Sequence, residues 1–110
     1  MDLLWGKFIA IPEEQVNQVE HLQTFNIGGV EIKALHSPGH ASHHIAYAIG
    51  EQDIVCGDVG GIRITGGPPV PPCPPPDIDL VAWRNSIDIL LEEKPKTLHV
   101  AHFGLSLIHI

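Results

Sequence analysis

Two short runs of alternating apolar and polar residues, TFNI and VEIKALHS, flank Gly28-Gly29 between positions 24 and 37. A period of two marks half-buried strands, and paired glycines suit a tight turn, so the stretch predicts a β-hairpin. Val30, Ile32 and Ala34 share one face of its second strand, and Ile27 belongs to its first. HHIAYAI (43–49) reads as another strand and Gly50 to Asp53 as a turn. IVC (54–56) then reads as a short buried strand ending at Gly57-Asp58. The period lengthens at either end of this region. Pro12, Glu13 and Glu14 open a short amphipathic helix whose apolar positions are Val16, Val19 and Leu22. Asp77 or Asp79 caps a second helix, with Leu80, Trp83, Ile87, Leu90 and Leu91 on one stripe. Pro95 stops that helix, and TLHVAH (97–102) returns as a strand before Phe103-Gly104. Strand, loop, helix and strand make a crossover unit, which predicts an α/β sheet with a helix on one face.

Between these elements lies GGPPVPPCPPP (66–76), with seven prolines. Proline lacks the N–H that a helix interior or a central strand requires, so this is a stiff, extended surface loop. No internal repeat is visible.

Composition narrows the function. At 110 residues the chain holds at most one domain, and its 44% hydrophobic content is that of a packed core. A formal charge of −7, with six scattered Lys and Arg, excludes the basic patch that nucleic acid or an anionic membrane requires. Cys56 and Cys73 are too few for a disulfide scaffold and are read as reduced thiols. The opening MDLLWGKFIAIPEE lacks the basic flank and long apolar centre of a secretory signal, and no run approaches the ~20 apolar residues of a membrane span. The expected setting is soluble and cytoplasmic, with a small-molecule substrate.

HSPGHASHH (36–44) packs four histidines into nine residues. His40 follows Pro38-Gly39, which gives a rigid backbone and an open approach for an ion. His36 is a hydrogen-bonding partner or simply exposed. His43 and His44 are adjacent, so in a strand they face opposite ways and only one serves a site; a buried structural role is the better reading of His44. Asp58 ends an apolar run after a glycine, where α/β proteins place ligands and catalysts; the competing reading is a turn aspartate bonding its own backbone. Of His99 and His102, three apart in a strand, one reaches a site, and His102 is better placed. Strand exits on one sheet edge converge in space, so His40, Asp58 and His102 are expected to meet. Two imidazoles and a carboxylate suit Zn²⁺, Fe²⁺ or Mn²⁺.

HSPGHASHHIAY, VCGDVGG and LHVAHFG, in that order, resemble the latter part of the metallo-β-lactamase-fold hydrolases, especially the glyoxalase II-like branch. The likeness runs from about Asp2 to Gly104, and PPPDIDLVAWRNS is similar to one subgroup of these hydrolases. The resemblance implies half of an αββα sandwich: a mixed sheet with helix on one face, truncated. His40 resembles the third histidine on the first metal, Asp58 the carboxylate bridging two metals, and His102 the last histidine on the second. His44 matches a histidine often found after the loop. The family's H-x-H-x-D-H segment, which supplies the other four ligands, is absent, and His21 has no such context. The expectation is therefore the carboxyl-terminal portion of a domain over 1–104, starting at an internal methionine, with 105–110 a truncated or non-native tail.

The implied chemistry is hydrolysis of an ester, thioester, lactone or phosphodiester by a hydroxide held on two divalent metals, zinc first. Asp58 is the implied catalytic carboxylate. The chain alone, with three of seven ligands, is expected to bind metal weakly, to turn nothing over, and to self-associate through a bared sheet face. A competing reading is a non-catalytic interaction module presenting the P-x-x-P spacing of its loop, with Arg63 the nearest flanking cation. A metal-storage or sensing role for the histidines is weakened by their odd spacings.

Overall fold

The hairpin forms as its sequence predicts. β1 (Thr24–Ile27) and β2 (Val30–His36) pair antiparallel around Gly28 and Gly29, whose φ values of 58° and 84° are those of a type I′ turn. In the computed structural model, residues 6–64, 66–72 and 77–102 are described, with the backbone alone at 105–107. β3 (Ile45–Ile49) and β4 (Asp53–Gly57) continue the antiparallel order. A two-residue ribbon follows, β5 (Ile62–Arg63) with β6 (Pro69–Val70). The helix α1 spans Leu80–Glu92, and β7 (Thr97–Val100) and β8 (Leu105–Leu107) complete the chain order. The main sheet reads β1-β2-β3-β4-β7-β8, with β4 and β7 parallel across the predicted crossover. No described helix is long and apolar enough to cross a membrane.

The sheet has two apolar faces. Leu35, Ala46, Ala48, Ile54 and Cys56 point one way and bury against Trp83 and Leu90 of α1 and against Val59. Opposite partners in the ladder, Phe25 with Ile32, Ile32 with Ile49, and Tyr47 with Val55, point the other way. They line an open cleft of about 710 Å³, with Ile27 64% and Val55 45% exposed. IVC is thus buried at Ile54 and Cys56 only, because alternation turns Val55 onto the uncovered face.

Two expectations about helices are corrected. Only Glu13–Gln15 forms a single 3₁₀ turn, and residues 16–20 are not helical. A lone helix of that length is marginal in water unless a stripe packs, and here Val16 and Leu22 stay exposed. The end of the segment adds to the sheet edge instead: Leu22 N–H donates to the Ala34 carbonyl and Ala34 N–H to the Gln23 carbonyl. In α1, Asp79 is the cap, accepting from Ala82 N–H at 3.0 Å. The buried stripe is Trp83, Ser86 and Leu90, rather than one running through Leu80, Ile87 and Leu91, which are exposed. Polar anchoring rotates the helix. Asp79 N–H donates to the Gly39 carbonyl, and the Ser86 hydroxyl donates to the Pro38 carbonyl at 2.6 Å.

Candidate metal centre

β2, β4 and β7 run the same way, since β3 is antiparallel to both of its neighbours and β7 is parallel to β4. Their carboxyl ends therefore lie on one sheet edge, and each is followed by one residue of the predicted site. His40 follows β2 on the loop that α1 anchors through Pro38 and Gly39. Asp58 begins a 3₁₀ turn, Asp58–Gly60, directly after β4. His102 follows β7, its carbonyl accepting from Arg63 N–H at 3.2 Å.

The three side chains meet. Asp58 Oδ1 lies 3.0 Å from His102 Nε2, and Oδ2 lies 3.6 Å from His40 Nε2. His40 Nδ1 sits 3.0 Å from the Pro72 carbonyl, which only accepts, so that nitrogen carries a proton, while Nε2 is the ring atom turned toward Asp58. A ring nitrogen tied to a carbonyl, with the other left basic, is the usual preparation of a metal-ligating histidine. The spacings also suit an ion. Two ligands each about 2.0–2.2 Å from a tetrahedral metal are about 3.3–3.6 Å apart; the His40 pair, at 3.6 Å, falls at the upper end of that range and the His102 pair, at 3.0 Å, is tighter.

Asp58 turns a different oxygen to each histidine, as a carboxylate between two sites does. Among the described residues, no three histidine, cysteine or acidic side chains gather closely enough to hold one ion alone. The donor set fits a divalent metal in kind and falls short of one in number.

The other histidines separate clearly. His36 is exposed, its Nε2 facing the Ser42 carbonyl at 3.1 Å and its N–H donating to His21 Nδ1. His43 is exposed. His99 pairs with Asp53 at 2.8 Å, where β7 and β4 lie side by side, away from Asp58. His44 does enter the centre. Its ring lies edge-on to His40 with centroids 6.4 Å apart, and a β-carbon on Gly57 would stand 2.6 Å from its Nε2. Ser37 holds its Nδ1 at 2.8 Å. Burial pushes the His44 imidazole below its ordinary pKa; Asp58 and the Ser37 backbone oppose that, while His40 and His43 add to it.

Two residues here were not singled out for the site from sequence. Trp83 stands edge-on to His40 at 5.9 Å and donates from Nε1 to the Val59 carbonyl inside the Asp58 turn. Ser37 is the other, and only its place between two motif residues marked it. Cys56 is a buried thiol raised to about 11 by burial, donating to the His99 carbonyl, and has no part in the centre. Cys73 lies outside the described residues.

Known proteins resemble this chain over most of its length. The family model described as the metallo-beta-lactamase superfamily matches residues 2–102. The metallo-beta-lactamase fold-containing protein ST1585 of Sulfurisphaera tokodaii is 33% identical over 95 residues, covering 86% of this chain and 35% of that protein. A crystal structure of ST1585, an archaeal metallo-beta-lactamase superfamily protein from Sulfolobus tokodaii, superposes with a TM-score of 0.81 at 30% identity. That match covers 96% of this chain and 41% of the solved one. An atrochrysone carboxyl ACP thioesterase of Passalora fulva is 34% identical over 41 residues, 37% of this chain and 12% of that protein. The chain thus spans about a third of the length of the ST1585 relative. The sequence belongs to the metallo-beta-lactamase superfamily.

Proposed function

We propose that this chain is the carboxyl-terminal part of a metal-dependent hydrolase of the glyoxalase II-like branch, acting on an ester or thioester in the cytoplasm. One observation carries the reading: the Asp58 carboxylate divided between His40 and His102 at the common edge of three strands. The thioesterase named among the relatives supports an acyl substrate. In this reading His40, Asp58 and His102 are ligands to divalent metal, zinc before iron or manganese. A bound metal lowers the pKa of its water from 15.7 to about 7, supplying a nucleophile at neutral pH. Asp58 fixes the spacing of the two imidazoles, and the Pro72 carbonyl fixes the tautomer of His40.

Calorimetric titration of the 110-residue chain with Zn²⁺ is expected to give a dissociation constant weaker than about 1 μM, a standard binding energy short of about 8 kcal/mol. Turnover of p-nitrophenyl acetate is expected to stay at the buffer rate. A catalytic zinc keeps three protein ligands, and among the described residues no single ion finds three. Tighter binding by the monomer, or measurable turnover, contradicts the incomplete-site reading.

We also propose that the uncovered sheet face brings copies of the chain together. Ile27, Val30 and Val55 are exposed beside the cleft lined by Phe25, Ile32, Tyr47 and Ile49. Apolar surface of this extent drives association, while the net charge of −7 opposes it. Light scattering should therefore report a mass that rises with concentration and rises further in added salt. A constant monomer mass in both series sinks the idea. Val55→Lys, in the cleft wall, should restore the monomer.

A further inference from the structure

His44 faces the centre differently from His40. Ser37 is fully buried, and its hydroxyl meets one partner among the described residues, His44 Nδ1 at 2.8 Å. A buried O–H with no acceptor is costly, so the hydroxyl donates and Nδ1 accepts. The proton of the ring is then on Nε2. That atom lies against Gly57, next to Asp58, with no acceptor among the described residues, and it is not sealed from solvent. At His40 the Pro72 carbonyl, which only accepts, calls for a protonated Nδ1 instead. His44 Nε2 lies against Gly57, the residue before Asp58, and His40 Nε2 lies 3.6 Å from the Asp58 carboxylate, so both ring nitrogens border the same turn.

We propose that His44 is a substrate-positioning donor whose Nε2–H takes the carbonyl oxygen of an ester or thioester brought to His40, Asp58 and His102, a role that rests on the acyl-hydrolase reading above. A donor fixed before the substrate arrives costs no reorganisation when charge develops on that oxygen. Ser37 makes it fixed. The loop places the pair together because Ser37 N–H also donates to the His44 carbonyl, closing the HSPGHASH segment on itself.

Magic-angle-spinning NMR of histidine-¹⁵N-labelled chain reads ring tautomers in monomeric and associated protein alike. The expected spectrum shows His44 protonated at Nε2 and bare at Nδ1, with His40 protonated at Nδ1. Ser37→Ala should leave His44 a mixture of tautomers. Acetate, the product of an acetyl ester, should shift the His44 Nε2–H resonance in the presence of Zn²⁺. A His44 protonated at Nδ1 alone overturns the proposal, as does a His44 that loses its Nε2 proton to Zn²⁺, or an Nε2–H that saturating acetate leaves unmoved. If His40 and His102 ignore Zn²⁺ while His44 still answers to acetate, the metal reading fails and the donor assignment stands.

Discussion

Replacing Gly39 by alanine is expected to cost the chain a large share of its stability. Gly39 has a φ of 140°, which L side chains rarely adopt, and its place would put a β-carbon 2.4 Å from the Cα and Cβ of Trp83 and 2.7 Å from its nitrogen. These are mainly backbone atoms of α1, so no flexible side-chain end can swing aside. Strained backbone costs about 1–3 kcal/mol, and overpacking about 1–3 kcal/mol more. A chain of this size holds about 5–15 kcal/mol in all, so roughly 2–6 kcal/mol is a large share of the whole. The damage also spreads. Pulling α1 off the loop breaks the bonds from Asp79 N–H to the Gly39 carbonyl and from Ser86 to the Pro38 carbonyl, and it moves His40, the next residue. Urea unfolding followed by far-ultraviolet circular dichroism should show the midpoint falling sharply or the transition vanishing. A midpoint equal to that of the native chain shows that the close approach of loop and helix has been misread.

Much of this fold could be read from residue order because the signals were local. Gly28-Gly29 between two period-two runs specifies a hairpin whatever lies elsewhere. A helical stripe between two apolar runs specifies the β4–α1–β7 crossover. The site was legible for a related reason. Once β2, β4 and β7 are known to run alike, the residues after them must share an edge, and His40, Asp58 and His102 do. What could not be read depended on partners distant in sequence. The 16–22 stretch has helical spacing, but the edge of β2 competes for its backbone and wins at Leu22 and Gln23. The α1 stripe lies about one residue away from its apolar pattern because Ser86, a polar residue, is drawn under the Pro38 carbonyl. Alternation in β4 does not tell which of two apolar faces is covered, so Val55 passed for core. The orientation of the His44 ring is set by the Ser37 hydroxyl seven residues away, a partner that residue order does not mark.

Trp83→Ala should match the Gly39 change in size while acting through a different link. The indole is 5% exposed and packs in the core cluster with Leu90 and Val59, so its removal leaves a cavity worth about 3–5 kcal/mol. Trp83→Phe isolates the second role of that side chain. Phenylalanine keeps most of the apolar bulk but leaves the Val59 carbonyl without the indole N–H that now donates to it at 2.9 Å. A buried polar group stripped of its partner costs about 1–3 kcal/mol. Because Val59 lies in the turn that opens with Asp58, the loss should also loosen the carboxylate that His40 and His102 share. Thermal unfolding of both variants, with the ¹⁵N resonances of His40 and His102, separates the two effects. Alanine should lower the melting temperature more than phenylalanine does. Phenylalanine should still shift the His102 ring, although Trp83 makes its ring contact with His40. If His102 is unmoved in the phenylalanine variant, Trp83 supports the helix alone, and the Asp58 turn keeps its shape without the indole bond.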